Sequence, residues 1–157
     1  MPKVTTLWLT VAAAVTVLAT DAAIVSPASG TKIKPGATFA FEYRTAADYC
    51  VSSYNFTVWL DTQDPTSLYP SNTWARGVFL GEFALPNYPG NPYPRNLPPS
   101  NFTMPDFSIS PGGFGVGSKV NDAHIKLLVL EEYQTCAGGL GNTIGFHYAN
   151  LIYNATS

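Results

Sequence analysis

The residues with chemistry to offer are few: two histidines, two cysteines, ten acids and three Asn-x-Thr tripeptides in 157 residues. His124 and His147 are the only imidazoles. If the segments around them pair as a hairpin about the AGGLGN turn, Glu132 rather than His124 falls opposite His147. The two histidines then stand about eight residues, or roughly 25 Å, apart along the sheet. That spacing excludes a shared metal, and no histidine lies near the end of the leader to build a copper centre on a mature N-terminus. Glu131 and Glu132 are neighbours in a strand and point to opposite faces, a poor pair for glycoside hydrolysis. Asp106 in MPDFS and Glu82 in LGEF are carboxylates whose separation the sequence leaves open. No Gly-x-Ser-x-Gly is present, and GVGSKV reads as a glycine-rich turn. These patterns argue against an enzyme, and they call for no cofactor and no metal.

The remaining chemistry belongs to the secretory route. Lys3, an apolar stretch from Leu7 to Leu18 and small residues at Ala19, Ala22 and Ala23 have the layout of a signal peptide. We assign residues 1–22 to it and 23–157 to a single folded domain. The stretch is too short and too interrupted for a membrane span, and LIYNATS offers no lipid-anchor signal. The protein is therefore expected to be secreted and extracellular. In that compartment Cys50 and Cys136 are expected to form one disulfide. Closing so long a loop stabilises by about 4 to 5 kcal/mol in the chain-entropy model. N-glycosylation acceptors stand at Asn55, Asn101 and Asn154.

A chain that is 46% hydrophobic and only 11% charged, with 13 glycines and 13 prolines, is expected to be one globular domain of strands and turns. A net charge of -2 without any basic run gives no reason to expect nucleic acid as a partner. Alternation predicts strands at 24–25, 38–44, 54–60, 77–83, 102–107, 125–133 and 145–153. In the second, Phe39, Phe41 and Tyr43 share one face. In the third, Tyr54, Phe56, Val58 and Leu60 share one face, with Asn55, Thr57 and Trp59 on the other, where a glycan can leave. The expected fold is all-β, an immunoglobulin-like or fibronectin-like antiparallel β-sandwich of about seven strands with long Pro/Tyr-rich loops. Cys50 precedes the third strand and Cys136 follows the sixth, which are antiparallel neighbours in that order. The bridge therefore differs from the antibody one, which joins the second and sixth strands.

The loops between Asp61 and Pro111 hold much of the proline and several tyrosines. Trp59, Trp74, Tyr69, Tyr88 and Tyr93 are the candidate recognition surface. Two function classes follow: a module that binds a protein, or a wall-associated module whose aromatics stack on polysaccharide.

The runs SPASGTKIKPGATFAFEY, SSYNFTVWL and NPYPRNLPPSNFTMPDF, together with the ending LVLEEYQTC…LIYNAT, resemble the fungal necrosis-inducing secreted proteins, which are small core effectors. The resemblance covers nearly the whole mature chain. It implies an effector that binds receptor-associated immune kinases of a plant host and suppresses pattern-triggered immunity. It transfers no catalytic or binding residue.

Overall fold

The computed structural model describes residues 21–48, 51–63, 77–87, 91–109, 113–115, 117–135 and 141–156. Among them the regular structure is entirely β, with no helix, and so none long and apolar enough to cross a membrane. Ten strands replace the seven expected. They are β1 (Ala23–Ser26), β2 (Thr31–Ile33), β3 (Thr38–Ala40), β4 (Glu42–Arg44), β5 (Ala47–Asp48), β6 (Val51–Asp61), β7 (Gly77–Phe83), β8 (Asn101–Thr103), β9 (Ala123–Thr135) and β10 (Thr143–Tyr153). The surplus has two origins. The short strands β2 and β5 carry too few residues for alternation to show, and the run 38–44 divides at Phe41. Its first half pairs with β8 and its second with β1, while the Phe41 amide donates to the Ser100 carbonyl at the junction. The segment 102–107 is a strand only at its start.

The large sheet has the order β2–β10–β9–β6–β5, with β7 also on β6. Its pairings are antiparallel except β2 with β10, which is parallel and corrects the expectation of a wholly antiparallel fold. The core lies between this sheet and the β1–β4 and β3–β8 ribbons. Phe39, Phe41, Tyr43 and Phe102 on the ribbon side meet Phe56, Val58 and Leu60 of β6, Ile125, Leu127 and Val129 of β9, and Leu151 and Tyr153 of β10. Each large apolar side chain removed from water stabilises the fold by about 1.5 to 3 kcal/mol, so these central strands fix the frame on which everything else hangs.

Two registers depart from the expected ones. β6 bulges against β9 between Ser53 and Asn55. Tyr54 therefore leaves the apolar face: its hydroxyl donates to Gln134 Oε1 at 2.7 Å, and Ser53 is the buried residue on that side of the bulge. The β9–β10 hairpin pairs His147 with Val129, and Ile144 with Glu132. His124 lies opposite Ile152, so the histidines stand about five residues, or roughly 17 Å, apart and not 25 Å.

Candidate functional site

One face of the large sheet covers the core and the other is open. On the open face the register brings four side chains into one row across four strands: Tyr148 of β10, Leu128 of β9, Trp59 of β6 and Phe79 of β7. Tyr148 is 58% exposed and Phe79 50%, whereas Leu128 is only 3% exposed although it stands outside the core cluster. A leucine so buried on a solvent-facing surface must be covered by the side chains around it. The Trp59 and Phe79 rings lie 4.7 Å apart and tilted by 46°, within the range of favourable aromatic pairs. The Trp59 indole donates to Thr57 Oγ1 at 3.1 Å, which fixes its orientation. The next row adds Phe146, 43% exposed, and Leu130, and the row after it Ile144. Lys126 Nζ sits 5.1 Å from the Tyr148 ring centre, a cation–π contact.

Polar groups mark one end of this face. Asn55 Nδ2 donates to Glu82 Oε1 at 2.8 Å, and Asn142 donates to Glu132 Oε1 at 2.5 Å. Beside it the segment 91–97 is pinned to the sheet. Asn91 Nδ2 donates to the Tyr54 carbonyl, the Asn96 side chain to the Glu82 carbonyl, and Ala84 N to the Asn96 carbonyl. This anchored loop presents Tyr93 with 89% of its surface exposed.

Of the expected recognition aromatics, Trp59 is half-buried on the open face and Tyr93 is exposed. Tyr69, Trp74 and Tyr88 lie outside the described residues, as do Cys50 and Cys136. Phe79, Phe146, Tyr148 and Leu128 were not singled out from the sequence. A signal for Phe146 and Tyr148 exists in TIGFHYANLIY, where apolar residues occupy both phases of the alternation, which is the pattern of a strand with two apolar faces.

A second cluster lies inside. Glu131 is fully buried; the Tyr43 hydroxyl donates to its Oε2 at 2.9 Å and the Ala46 amide to its Oε1 at 2.8 Å. His147 Nε2 is 3.7 Å from Oε2 and has no hydrogen-bond partner. Gly145, directly opposite Glu131, makes the room: a Cβ there would come within 2.9 Å of His147 Nε2. Burial and the negative charge of Glu131 drive the Tyr43 phenol far above its ordinary range, so it stays a donor. Sealed from solvent, the carboxylate acts as a bracket that ties β4 and the following turn to β9.

The other acids have separate tasks. Asp106 Oδ1 accepts from the Ser108 hydroxyl and amide and, at 3.3 Å, from the Tyr153 hydroxyl. The Ser108 bonds hold its carboxyl below the usual range. Glu82 Oε1 accepts from Asn55, and Asp106 is engaged with Ser108 and Tyr153. No group of three or more His, Cys, Asp or Glu capable of holding a metal occurs among the described residues.

The chain matches no protein-family model, no curated protein and no solved structure. What it does must therefore be argued from the open face and its surroundings.

Proposed function

We propose that the chain is a secreted, non-catalytic binding module of effector type whose contact surface is the open face of β10, β9, β6 and β7. The row Tyr148–Leu128–Trp59–Phe79 carries this reading. It gathers aromatic and aliphatic side chains in the centre with charged and amide groups at the margin, the arrangement of a protein-binding surface. In the same reading, the leader lies within residues 1–22 and is cut after Ala19. Asp21 and Ala22 already touch the domain, the Asp21 carbonyl accepting from Arg44 Nε at 3.2 Å and Ala22 packing on the core; cleavage after Ala19 would leave both in place. The strand order, with β1, β3–β4 and β8 against β2–β10–β9–β6–β7, supports an immunoglobulin-like sandwich. The resemblance to fungal necrosis-inducing secreted proteins supplies the class of partner, kinase domains associated with plant immune receptors.

The alternative, a wall-associated polysaccharide-binding module, draws on Trp59, Phe79 and Tyr148 as stacking rings. Against it, the Trp59 and Phe79 rings are tilted by 46° and make no flat shelf, and Ile144 and Leu130 add aliphatic surface that a sugar ring does not need. The two readings separate in a pull-down of the secreted protein against immune-receptor kinase domains and against insoluble chitin or β-glucan. Retention by the kinases that is lost in F146A/Y148A supports the effector reading. Retention by polysaccharide alone overturns it.

A further inference from the structure

The three Asn-x-Thr tripeptides look alike in sequence and differ in what the folded chain does with them. N-glycosylation forms a bond from the Asn Nδ2 to a sugar anomeric carbon. That carbon's bond to a lipid diphosphate breaks, the diphosphate leaves with the electron pair, and the amide gives up one proton. A folded asparagine can therefore carry a glycan and keep its contacts only if one Nδ2 hydrogen is not already committed.

Asn55 meets that condition. Its Nδ2 donates once, to Glu82 Oε1 at 2.8 Å, from the open face of β6. Asn101 meets it as well, on an exposed residue that donates once, to Ser100 Oγ at 3.0 Å. Asn154 does not. Its Nδ2 donates to the Val120 carbonyl at 3.0 Å and to Asn121 Oδ1 at 2.5 Å, which uses both hydrogens.

The rest of that tripeptide is held too. The Asp122 amide donates to the Asn154 carbonyl, the Thr156 amide to Asp122 Oδ1, and the Thr156 hydroxyl to Asp122 Oδ2 at 2.6 Å. A second observation points the same way. Asp122 and Asn154, which face each other here, are the non-glycine residues with positive φ among those described, at 52° and 50°. Asparagine and aspartate are the side chains that best tolerate that conformation. Asn154 is thus the residue type that this corner requires on structural grounds alone.

We propose that Asn154 is a structural clasp that remains unmodified, and that the glycans of the secreted protein sit on Asn55 and Asn101. This rests on the secretory reading above. It is therefore tested with the complete chain placed behind an established secretory leader in a glycosylating host, so that failure of the chain's own leader shows separately as loss of secretion without the added one. Peptide mapping after enzymatic glycan release is expected to mark Asn55 and Asn101 and to find the Asn154 peptide bare. N55Q and N101Q should each remove one glycan's mass. N154Q should leave the glycan mass unchanged and lower the unfolding midpoint. A glycan on Asn154 in most molecules, or bare peptides at both Asn55 and Asn101, overturns the proposal.

Discussion

Glu131 shows how one buried charge can organise its surroundings. Its two oxygens serve two donors from one segment far from it in sequence, the Tyr43 hydroxyl and the Ala46 amide. E131L is expected to strand both, at about 1 to 3 kcal/mol each, and E131Q, which keeps an acceptor and a similar shape, to cost less. Urea denaturation of the two variants measures the difference, and equal losses would show that hydrogen bonding is not what matters there. Asp122 gives a pH signature of its own. Its folded-state pKa is lowered by the hydroxyl and amide of Thr156, so its stabilising effect is present above the ordinary aspartate range of about 4 and is lost as pH falls through the lowered value. D122N should flatten the acid limb of a melting-temperature profile and change little near neutrality beyond a constant offset. Neither site could be found by motif, because the donors come from residues distant in sequence.

At the level of strands, much was legible. Phe39, Phe41 and Tyr43, like Phe56, Val58 and Leu60, alternate so regularly that their burial follows from period two. Glu131 and Glu132 do point to opposite faces, the first buried and the second toward Asn142. Register was not legible. Placing Glu132 opposite His147 is an odd-numbered slip from the observed pairing with Val129, and such a slip moves a side chain to the other face. His147 was thereby assigned to the face of Glu132, and its approach to Glu131 was hidden. Alternation states which residues share a face but not how two strands slide. Glycine marks one place where sliding is blocked: at Gly77, opposite Asp61 at the end of the β6–β7 ladder, a Cβ would lie 1.7 Å from the Leu60 carbonyl oxygen. G77A is expected to break that end of the ladder and to lower stability by more than the roughly 1 kcal/mol scale of an ordinary glycine replacement. Hydrogen exchange should show the loss confined first to the amides of 77–80 and 59–61.

For the molecule as a whole, the pairing of β6 with β9 ends next to the two cysteines in sequence. Val51 pairs with Thr135 as the last described couple, and Cys50 and Cys136 are the next residues on each side. A disulfide here would close the loop that contains the β6 to β9 segment. Non-reducing peptide mapping is expected to link the two cysteine peptides, and C50S/C136S to lose about 4 to 5 kcal/mol in the chain-entropy model. Two unlinked cysteine peptides in the secreted protein would refute the bridge. The open face belongs to this scale too, since its row is assembled from four strands that reach from Trp59 to Tyr148 in sequence. No local stretch encodes it, and the segment 54–60 supplies only Trp59.

The bulge at Tyr54 bears on how this chain tolerates changes in length. Core-facing residues run Ser53, then Phe56, Val58 and Leu60, so the strand's inside–outside rhythm loses one beat at residue 54. A variant lacking Tyr54 would restore an unbroken rhythm and keep every remaining side chain on its present side, giving up the local bend and the contact with Gln134. Removing any single residue between Phe56 and Leu60 would instead invert everything on one side of the cut. Within a single strand, then, one position is open to deletion while its near neighbours are closed to it.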